Sequence, residues 1–352
     1  MKHRHICVAM SGGVDSAGAA LLLRQQGYEV SGVTMRLHSD HPGLCPFGKD
    51  IDTARSVAAA LGIPHTVLDL SARFQQEVMD RFVAEYVHGR TPNPCIDCNR
   101  EIKFGDLLDW ALEQGADALA TGHYARVSYD EETGRWLLLR GRDRKKDQSY
   151  FLYQLTQHQL AHLLLPVGDY EKPALRALAA EAGLVNADKS DSQDICFIPD
   201  GDYLTFLQNY GGVSPVPGDF VDETGRVLGR HKGLEGYTPG QRKGLGVSAA
   251  TPLYVLRKDL TSGNIVLGPN DALFTTELTA ERVNWISIPE PSAPVAVTAK
   301  TRYSQREDPA VVHPLPDGRV RVVFEVPQRA VTAGQAVVFY DGEKVVGGGT
   351  IL

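Results

Sequence analysis

Apolar residues follow two rhythms along this chain. In the first half, short β-prone runs alternate with longer segments whose apolar positions recur every three or four residues, and in the second half the runs alternate with period two. Ile6 to Met10 is a short apolar run of the kind found in a buried parallel strand. Directly after it, Asp15 and Ser16 open an Ala- and Leu-rich stretch that reads as a helix ended by Gly27. Further strands are predicted over 29–37, 64–70 and 116–123. Helices are predicted over 50–61, where Ile51, Ala54, Val57, Ala58 and Leu61 share a face and Gly62 stops the run, and from Ser71, its expected cap, to about His88. This alternation predicts an α/β fold: a doubly wound parallel sheet, which binds ligands at the carboxyl ends of its strands.

Residues 124–141 read as a hairpin turning at Thr133-Gly134, and helices resume near Gln148, over 172–182 and over 202–210. The Gly/Pro stretch from Gly211 to Asp219 has no helical period and marks a domain boundary. Beyond it the pattern is wholly β, suggesting small barrels, with a second boundary near 285–294. The expected organisation is an α/β domain over 1–210 with a distinct hairpin and helical part from about 124, then two small barrel-like β domains over 211–285 and 286–352.

Composition narrows the classes. The chain has 352 residues, 43% hydrophobic and 22% charged, with no apolar run near the ~20 residues of a membrane span. The N-terminus shows no signal-peptide pattern, so a cytoplasmic location without membrane contact is expected. A net charge of -7 repels phosphates on average, so any RNA contact requires a local basic patch. Arg135 to Lys146, with six basic residues and one acid, is the main phosphate-binding candidate, although such runs are usually solvated faces. Arg242, Lys243, Arg257, Lys258, Lys300 and Arg302 extend that candidate surface across the β region. Five cysteines, an odd number, argue against a disulfide framework.

Three stretches carry candidate chemistry. Ser11 to Ser16, SGGVDS, follows a strand and opens a helix, so its glycines, free N–H groups and two serine hydroxyls form an anion site. No Gly-Lys-Ser/Thr closes it, and the Gly-x-Gly-x-x-Gly spacing is absent. The alternative is an ordinary strand-to-helix turn. Cys95 and Cys98, three apart after Pro92 and Pro94, could lower a thiol pKa, ligate zinc or ligate an iron-sulfur cluster. Cys196 lies among Asp188, Asp191, Asp194 and Asp200, which raise a thiol pKa, and between Ile195 and Phe197, a setting typical of a buried hydrophobe. Cys7 reads as a core thiol and Cys45 as a loop thiol, a spare sulfur relay or a fourth ligand.

SGGVDS resembles the signature of the ATP pyrophosphatases, the PP-loop or adenine nucleotide α-hydrolase-like group, which split ATP between its α and β phosphates. With TPNPxxxCNxEIKF, TGHYAR, KDQSYFL and SQDICFI in that order, and TPGQRKGLG, KTRYSQ and QRAVTAGQAVVFYDG beyond, the whole chain resembles the bacterial tRNA-specific 2-thiouridylases. The resemblance implies sulfur transfer onto C2 of the wobble uridine, position 34, in tRNAs for Lys, Glu and Gln. It implies ATP, with Mg2+, held by Ala9, Met10, Ser11, Gly12, Gly13, Val14, Asp15, Ser16, Met35 and Gly122. Asp15 counts among the expected catalytic residues. Cys98 is implied as the nucleophile, and Cys196 as the carrier of a persulfide that later closes a disulfide with Cys98. Asn93, Pro94 and Cys95 would line the target base, and His123, Lys146, Asp147, Gln148, Arg302, Tyr303 and Gln335 would touch tRNA.

The chain departs from the family where Cys95 stands in place of the usual Asp. Three cysteines, Cys95, Cys98 and Cys196, could then hold a 4Fe-4S cluster carrying hydrosulfide in place of the persulfide route. The expected partners are tRNA and a sulfur-donor protein or sulfide, and the expected state is a monomer. An ATP pyrophosphatase acting on a small molecule would leave the cysteines idle, and a non-catalytic tRNA-binding or iron-sulfur protein would leave SGGVDS idle.

Overall fold

The computed structural model describes residues 5–38, 48–189, 195–198 and 201–352, and the elements below are those of the described residues. Strands β1 (His5–Ala9), β2 (Glu29–Arg36), β3 (His65–Asp69) and β4 (Ala118–Ala120) are the predicted parallel strands. An antiparallel hairpin, β5 (Ala125–Asp130) and β6 (Arg135–Arg140), follows, and then β7 (Leu163–Leu164). The parallel sheet runs β3-β2-β1-β4-β7. The chain winds outward from β1 through β2 to β3 and then returns to the other side of β1, so the strand order reverses between β1 and β4. That reversal opens a crevice above the carboxyl ends of these two strands, the ordinary ligand position in such sheets. The glycine loop leaves β1 there, and Gly122 leaves β4 there.

Burial accounts for the strand sequences. Ile6, Val8, Ala118, Leu119 and Ala120 are fully buried because helices cover both faces of the sheet. The helix Val14–Gln25 is buried over most of its length, which matches its continuous run of Ala and Leu. The helical run from Ser71 to Val87 is interrupted by a π-helical stretch over Gln75–Asp80. Ser71 itself is the first helical residue, and Asp69 caps it by accepting from both the Ser71 N–H at 3.0 Å and its hydroxyl at 2.6 Å. Asp202 caps the helix Tyr203–Asn209 by accepting from Thr205.

The β region divides into two units. Strands β8 (Gly218–Val221), β9 (Val227–His231), β10 (Tyr254–Asp259) and β11 (Asn264–Gly268) form a sheet in the order β10-β11-β8-β9 around buried Phe220, Val255, Ile265 and Leu267. Strands β12 (Phe274–Trp285), β13 (Val295–Lys300), β14 (Asp308–Pro314), β15 (Val320–Arg329), β16 (Ala336–Asp341) and β17 (Lys344–Ile351) close into a six-stranded barrel through the β12–β17 pairing. The residues 274–285 therefore belong to the last unit, upstream of the boundary expected near 286. The Pro-rich stretch after Trp285 reads as a linker in sequence, yet it is a loop inside the barrel, between β12 and β13.

The hairpin also departs from expectation. Its β6 pairs with β17 through Leu139 and Lys344, so a segment from the middle of the first domain extends the sheet of the last. The two are further joined where Asn284 donates to the carbonyls of Tyr153 (2.7 Å) and Leu155 (3.0 Å), and where the Tyr150 hydroxyl donates to the Ala336 carbonyl (2.9 Å). At Gly348 a Cβ would lie 2.6 Å from the Tyr153 ring and 2.6 Å from the Val337 carbonyl oxygen. Gly348→Ala should therefore destabilise the protein by about 1–3 kcal/mol through overpacking. A chemical-denaturation midpoint unchanged from wild type would contradict this close docking.

Candidate active site

The loop after β1 is shaped for an anion. Gly12 has φ +72°, a conformation that favours glycine, and a Cβ there would meet the Asp50 carbonyl oxygen at 2.5 Å. Gly13 precedes the helix with no side-chain cap, so the first-turn N–H groups of Val14–Gln25 have no side-chain acceptor among the described residues. The Ser16 hydroxyl donates to the Gly13 carbonyl at 3.0 Å and accepts from the Ser11 N–H at 3.1 Å, which closes the loop on itself. Gly122 abuts this loop, since a Cβ there would stand 2.6 Å from the Asp15 carbonyl carbon and from the Ser16 nitrogen. Met10 and Met35 frame the same end of the sheet, and the Thr34 hydroxyl ties β2 to the Met10 carbonyl at 2.7 Å. The structure thus gathers Ala9 to Ser16, Met35 and Gly122 at one crevice. Lys189, absent from the sequence expectations, reaches the loop's rim, with its Nζ 2.5 Å from Asp50 and 3.4 Å from the Gly12 carbonyl oxygen.

The thiols lie beside this crevice. The Asn93 side chain caps the short helix Pro94–Asp97 by accepting from the Cys95 N–H at 3.2 Å, and Pro94 fills the first helical position, where no N–H is needed. Cys98 is 7% exposed and packs in a cluster with Leu37, Phe74, Phe82, Phe197 and Phe206, close to the carboxyl ends of β2 and β3. Cys196 belongs to the same neighbourhood but faces outward. Its neighbour Phe197 is the buried anchor, with edge-on contacts to Phe74 and Phe82 at centroid distances of 5.7 and 5.5 Å. The buried setting expected of Cys196 therefore belongs to Phe197, while Cys196 and Cys95 are exposed. Cys7 is a buried core thiol, pushed up to about 11 by burial. Cys45, Asp191, Asp194 and Asp200 lie outside the described residues.

Burial pushes the Cys98 thiol up to about 11 and the Cys196 thiol to about 12, and it raises Cys95 as well. Cys95 and Cys196 are open at the surface, yet protein atoms crowd their sulfurs closely enough for desolvation to dominate. The sulfurs also feel one another, since Cys95 raises Cys98 and both raise Cys196. One cation opposes this, because the Lys103 ammonium pulls all three thiols down. Desolvation, with the Lys103 charge added to it, holds His123, packed against Phe104, well below its ordinary pKa. Lys103 reaches this position because Cys98–Asp106 is wound as a π-helix. Five residues along an α-helix lie roughly 140° round the axis, whereas i to i+5 hydrogen bonding brings position 103 nearer to the Cys98 side of the helix. Sequence periodicity assumes α geometry, so it did not single out Lys103.

Among the described residues no three His, Cys, Asp or Glu side chains are grouped to share a metal ion. As placed, Cys95, Cys98 and Cys196 do not form such a group.

The expected RNA contacts separate into two kinds. Asp147 is buried, accepting from the Gly141 and Ser149 N–H groups, and Gln148 accepts from the Tyr124 N–H, so both shape the turn. Arg302 donates to the carbonyls of Pro239 and Ala330, and Gln335 donates to the Thr91 carbonyl at 2.7 Å, joining the barrel to the loop before Cys95. Tyr303 remains exposed, tilted against Phe151 at 4.5 Å and close enough to Lys146 to feel its charge. The basic stretch is likewise divided. Arg135 donates to the carbonyls of Ile286 and Trp285, Arg140 stacks on Tyr340 and pairs with Glu307, and Arg144 pairs with Glu343. Arg142 and Lys145 are exposed and take part in no ion pair among the described residues.

A glycine loop and helix N-terminus at the switch point of a parallel sheet define a nucleotide-binding α/β domain, here followed by two β units. Residues 4–200 match the family model described as tRNA methyl transferase HUP domain, residues 204–269 the tRNA methyl transferase PRC-barrel domain and residues 275–351 the aminomethyltransferase beta-barrel domain. The chain is 49% identical to the tRNA-specific 2-thiouridylase MnmA of Acetivibrio thermocellus over 100% of both chains. It is 50% identical to MnmA 1 of Caldanaerobacter subterraneus subsp. tengcongensis, over 99% of this chain and 98% of that one. The chain belongs to the tRNA-specific 2-thiouridylase MnmA family. A solved structure of the U34-tRNA thiolase NcsA from Methanococcus maripaludis with its [4Fe-4S] cluster is 17% identical, with a TM-score of 0.36 over 60% of this chain and 68% of that one, a likeness too slight to bear on chemistry here.

The thiols' electrostatics give a direct expectation. With Cys98 at about 11, its alkylation by iodoacetamide should rise about tenfold per pH unit between pH 7 and 10, as the thiolate fraction does. Lys103→Met should slow labelling of all three cysteines at fixed pH. Equal labelling rates in the variant and wild type, followed by peptide mass mapping, would remove Lys103 from the site.

Proposed function

We propose that this chain is a tRNA-uridine 2-sulfurtransferase that converts the wobble uridine of tRNAs for Lys, Glu and Gln to 2-thiouridine in the cytoplasm, acting as a monomer and drawing sulfur from a donor protein or sulfide. The observation that carries this reading is the convergence at one end of the parallel sheet of two sites: the glycine loop, and the apolar cluster that holds Cys98 and anchors Cys196.

The two sites divide the reaction. A uracil carbonyl oxygen is a poor leaving group. Attack of that oxygen on the α-phosphorus of ATP, bound as its Mg2+ complex, releases pyrophosphate and makes the oxygen part of AMP. Ala9 to Ser16, Met35 and Gly122 hold the nucleotide, with the loop N–H groups and the helix dipole facing its phosphates. The target base leaves the anticodon stack to lie by Asn93, Pro94 and Cys95.

Sulfur arrives as a persulfide on Cys196, whose exposed position lets a donor reach it. Either the Cys196 thiolate attacks the outer sulfur of a donor protein's persulfide and the donor cysteine leaves as a thiolate, or sulfide opens the Cys98–Cys196 disulfide left by the previous turnover, giving the Cys196 persulfide and the Cys98 thiolate. The terminal sulfur attacks C2, and AMP departs with the ring oxygen. The Cys98 thiolate then attacks the Cys196 sulfur, breaking its bond to the transferred sulfur, so that a Cys98–Cys196 disulfide forms and the ring keeps the sulfur as its thiocarbonyl. Lys103 stabilises the thiolates, and the apolar wall around Cys98 keeps water from the adenylated base. Arg142, Lys145 and Tyr303 form the exposed part of the RNA-facing surface, half-buried Lys146 lies among them, and His123 lies at its inner edge.

An alternative chemistry, hydrosulfide on an iron of a cluster held by Cys95, Cys98 and Cys196, is separated by the same assay. Protein, ATP, a sulfur source and unmodified tRNA are incubated, and the digested RNA is examined for 2-thiouridine by mass. Product that requires ATP, disappears in Cys98→Ser and forms with iron-free protein is expected. Product without ATP, or undiminished in Cys98→Ser, would overturn the assignment, and activity that tracks iron content would replace the persulfide route with the cluster.

A further inference from the structure

The nucleotide loop contains an acid where an anion is to bind. Asp15 lies in the first turn of Val14–Gln25, beside the N–H groups that face the phosphates, and a bare carboxylate there would repel them. One cation takes both of its oxygens. The Lys172 ammonium is 2.6 Å from Oδ1 and 2.7 Å from Oδ2, and the Tyr124 hydroxyl donates to Oδ1 at 2.8 Å.

Lys172 is 6% exposed, at the first position of the helix Lys172–Glu181, where the helix dipole disfavours a cation. Its position is set by packing. Three residues further on, Leu175 occupies the space beside Gly18, where a Cβ would lie 2.6 Å from its Cδ1, and Gly18 is three residues beyond Asp15. One face of each helix therefore makes both contacts. Both partners of Asp15 are also anchored to the turn over 141–148. The Lys172 N–H donates to Asp143 at 3.1 Å, and the Tyr124 N–H donates to Gln148 at 2.9 Å.

We propose that Lys172 is a positioning residue for the nucleotide: it cancels the charge of Asp15 and holds that carboxylate against Tyr124, so that the loop N–H groups meet an incoming triphosphate without a competing anion. The proposal rests on the reading of the loop as an ATP site. It gives Asp15 a part other than the catalytic one expected of it, since both its oxygens are engaged.

The test compares binding of ATP and of adenosine to the full-length chain by titration calorimetry. Lys172→Met should weaken ATP by about tenfold or more while leaving adenosine within about twofold, because the exposed carboxylate opposes only the phosphates. Lys172→Arg should retain ATP binding, and Lys172→Met combined with Asp15→Asn should recover it to within about threefold of wild type. Asp15→Asn alone, which leaves the Lys172 charge uncancelled, should bind ATP more tightly than wild type. A merely structural role would lower ATP and adenosine affinity together in Lys172→Met, and that result overturns the proposal, as does a double variant no better than Lys172→Met. If Lys172→Met fails to fold, Asp15→Asn binding ATP no more tightly than wild type overturns it. Wild-type protein that binds adenosine but not ATP would instead remove the nucleotide reading on which the proposal rests.

Discussion

The helix N-terminus proposed to meet a nucleotide's phosphates carries a carboxylate of its own, Asp15, in its first turn. Much of the first domain can be read from that constraint. The glycines of the loop leave backbone N–H groups open, and Gly122 lets the neighbouring strand end approach the backbone of Asp15 and Ser16. Lys172 and Tyr124 engage the carboxylate, the ammonium reaching both of its oxygens. The helix that supplies Lys172 lies more than a hundred residues downstream, so the site depends on the whole domain having closed around its sheet.

The thiol centre obeys an opposite electrostatic demand. A phosphate site must attract charge, whereas a thiol site in an apolar cluster suppresses it: burial raises Cys95, Cys98 and Cys196, and they raise one another. Lys103 partly reverses this, and it does so from a π-helix whose register turns it toward the sulfurs. The two chemistries are neighbours because Leu37, at the end of β2, packs in the same cluster as Cys98 and Phe197.

The β units act on this centre from outside. Gln335 and Gly334 of the last barrel touch Thr91 and Arg90, just ahead of Pro92 and Asn93, and Asn284 fixes the segment after Tyr153. The β5–β6 hairpin extends the barrel's sheet and spends Arg135 and Arg140 on that contact, which leaves a smaller exposed basic surface than the sequence count suggests.

The order of strands and helices in the first half was legible in the sequence, because each element is defined by periodicity within some ten residues and by its Gly and Ser punctuation. So was the loop Ser11 to Ser16, since a short motif carries its own geometry, whereas Cys196 was joined to Cys95 and Cys98 only by the resemblance to the family. Three features were decided only by the tertiary structure: which arginines face solvent, which residue of the Cys196–Phe197 pair is buried, and that β12 and the hairpin join the last sheet. Each depends on partners more than a hundred positions distant or on a choice between two faces of one strand or loop, and local pattern contains neither. Lys172 is the sharpest case. In the sequence it is one charged residue at the start of an amphipathic helix, and only the packing of Leu175 on Gly18 makes it the counter-ion of Asp15.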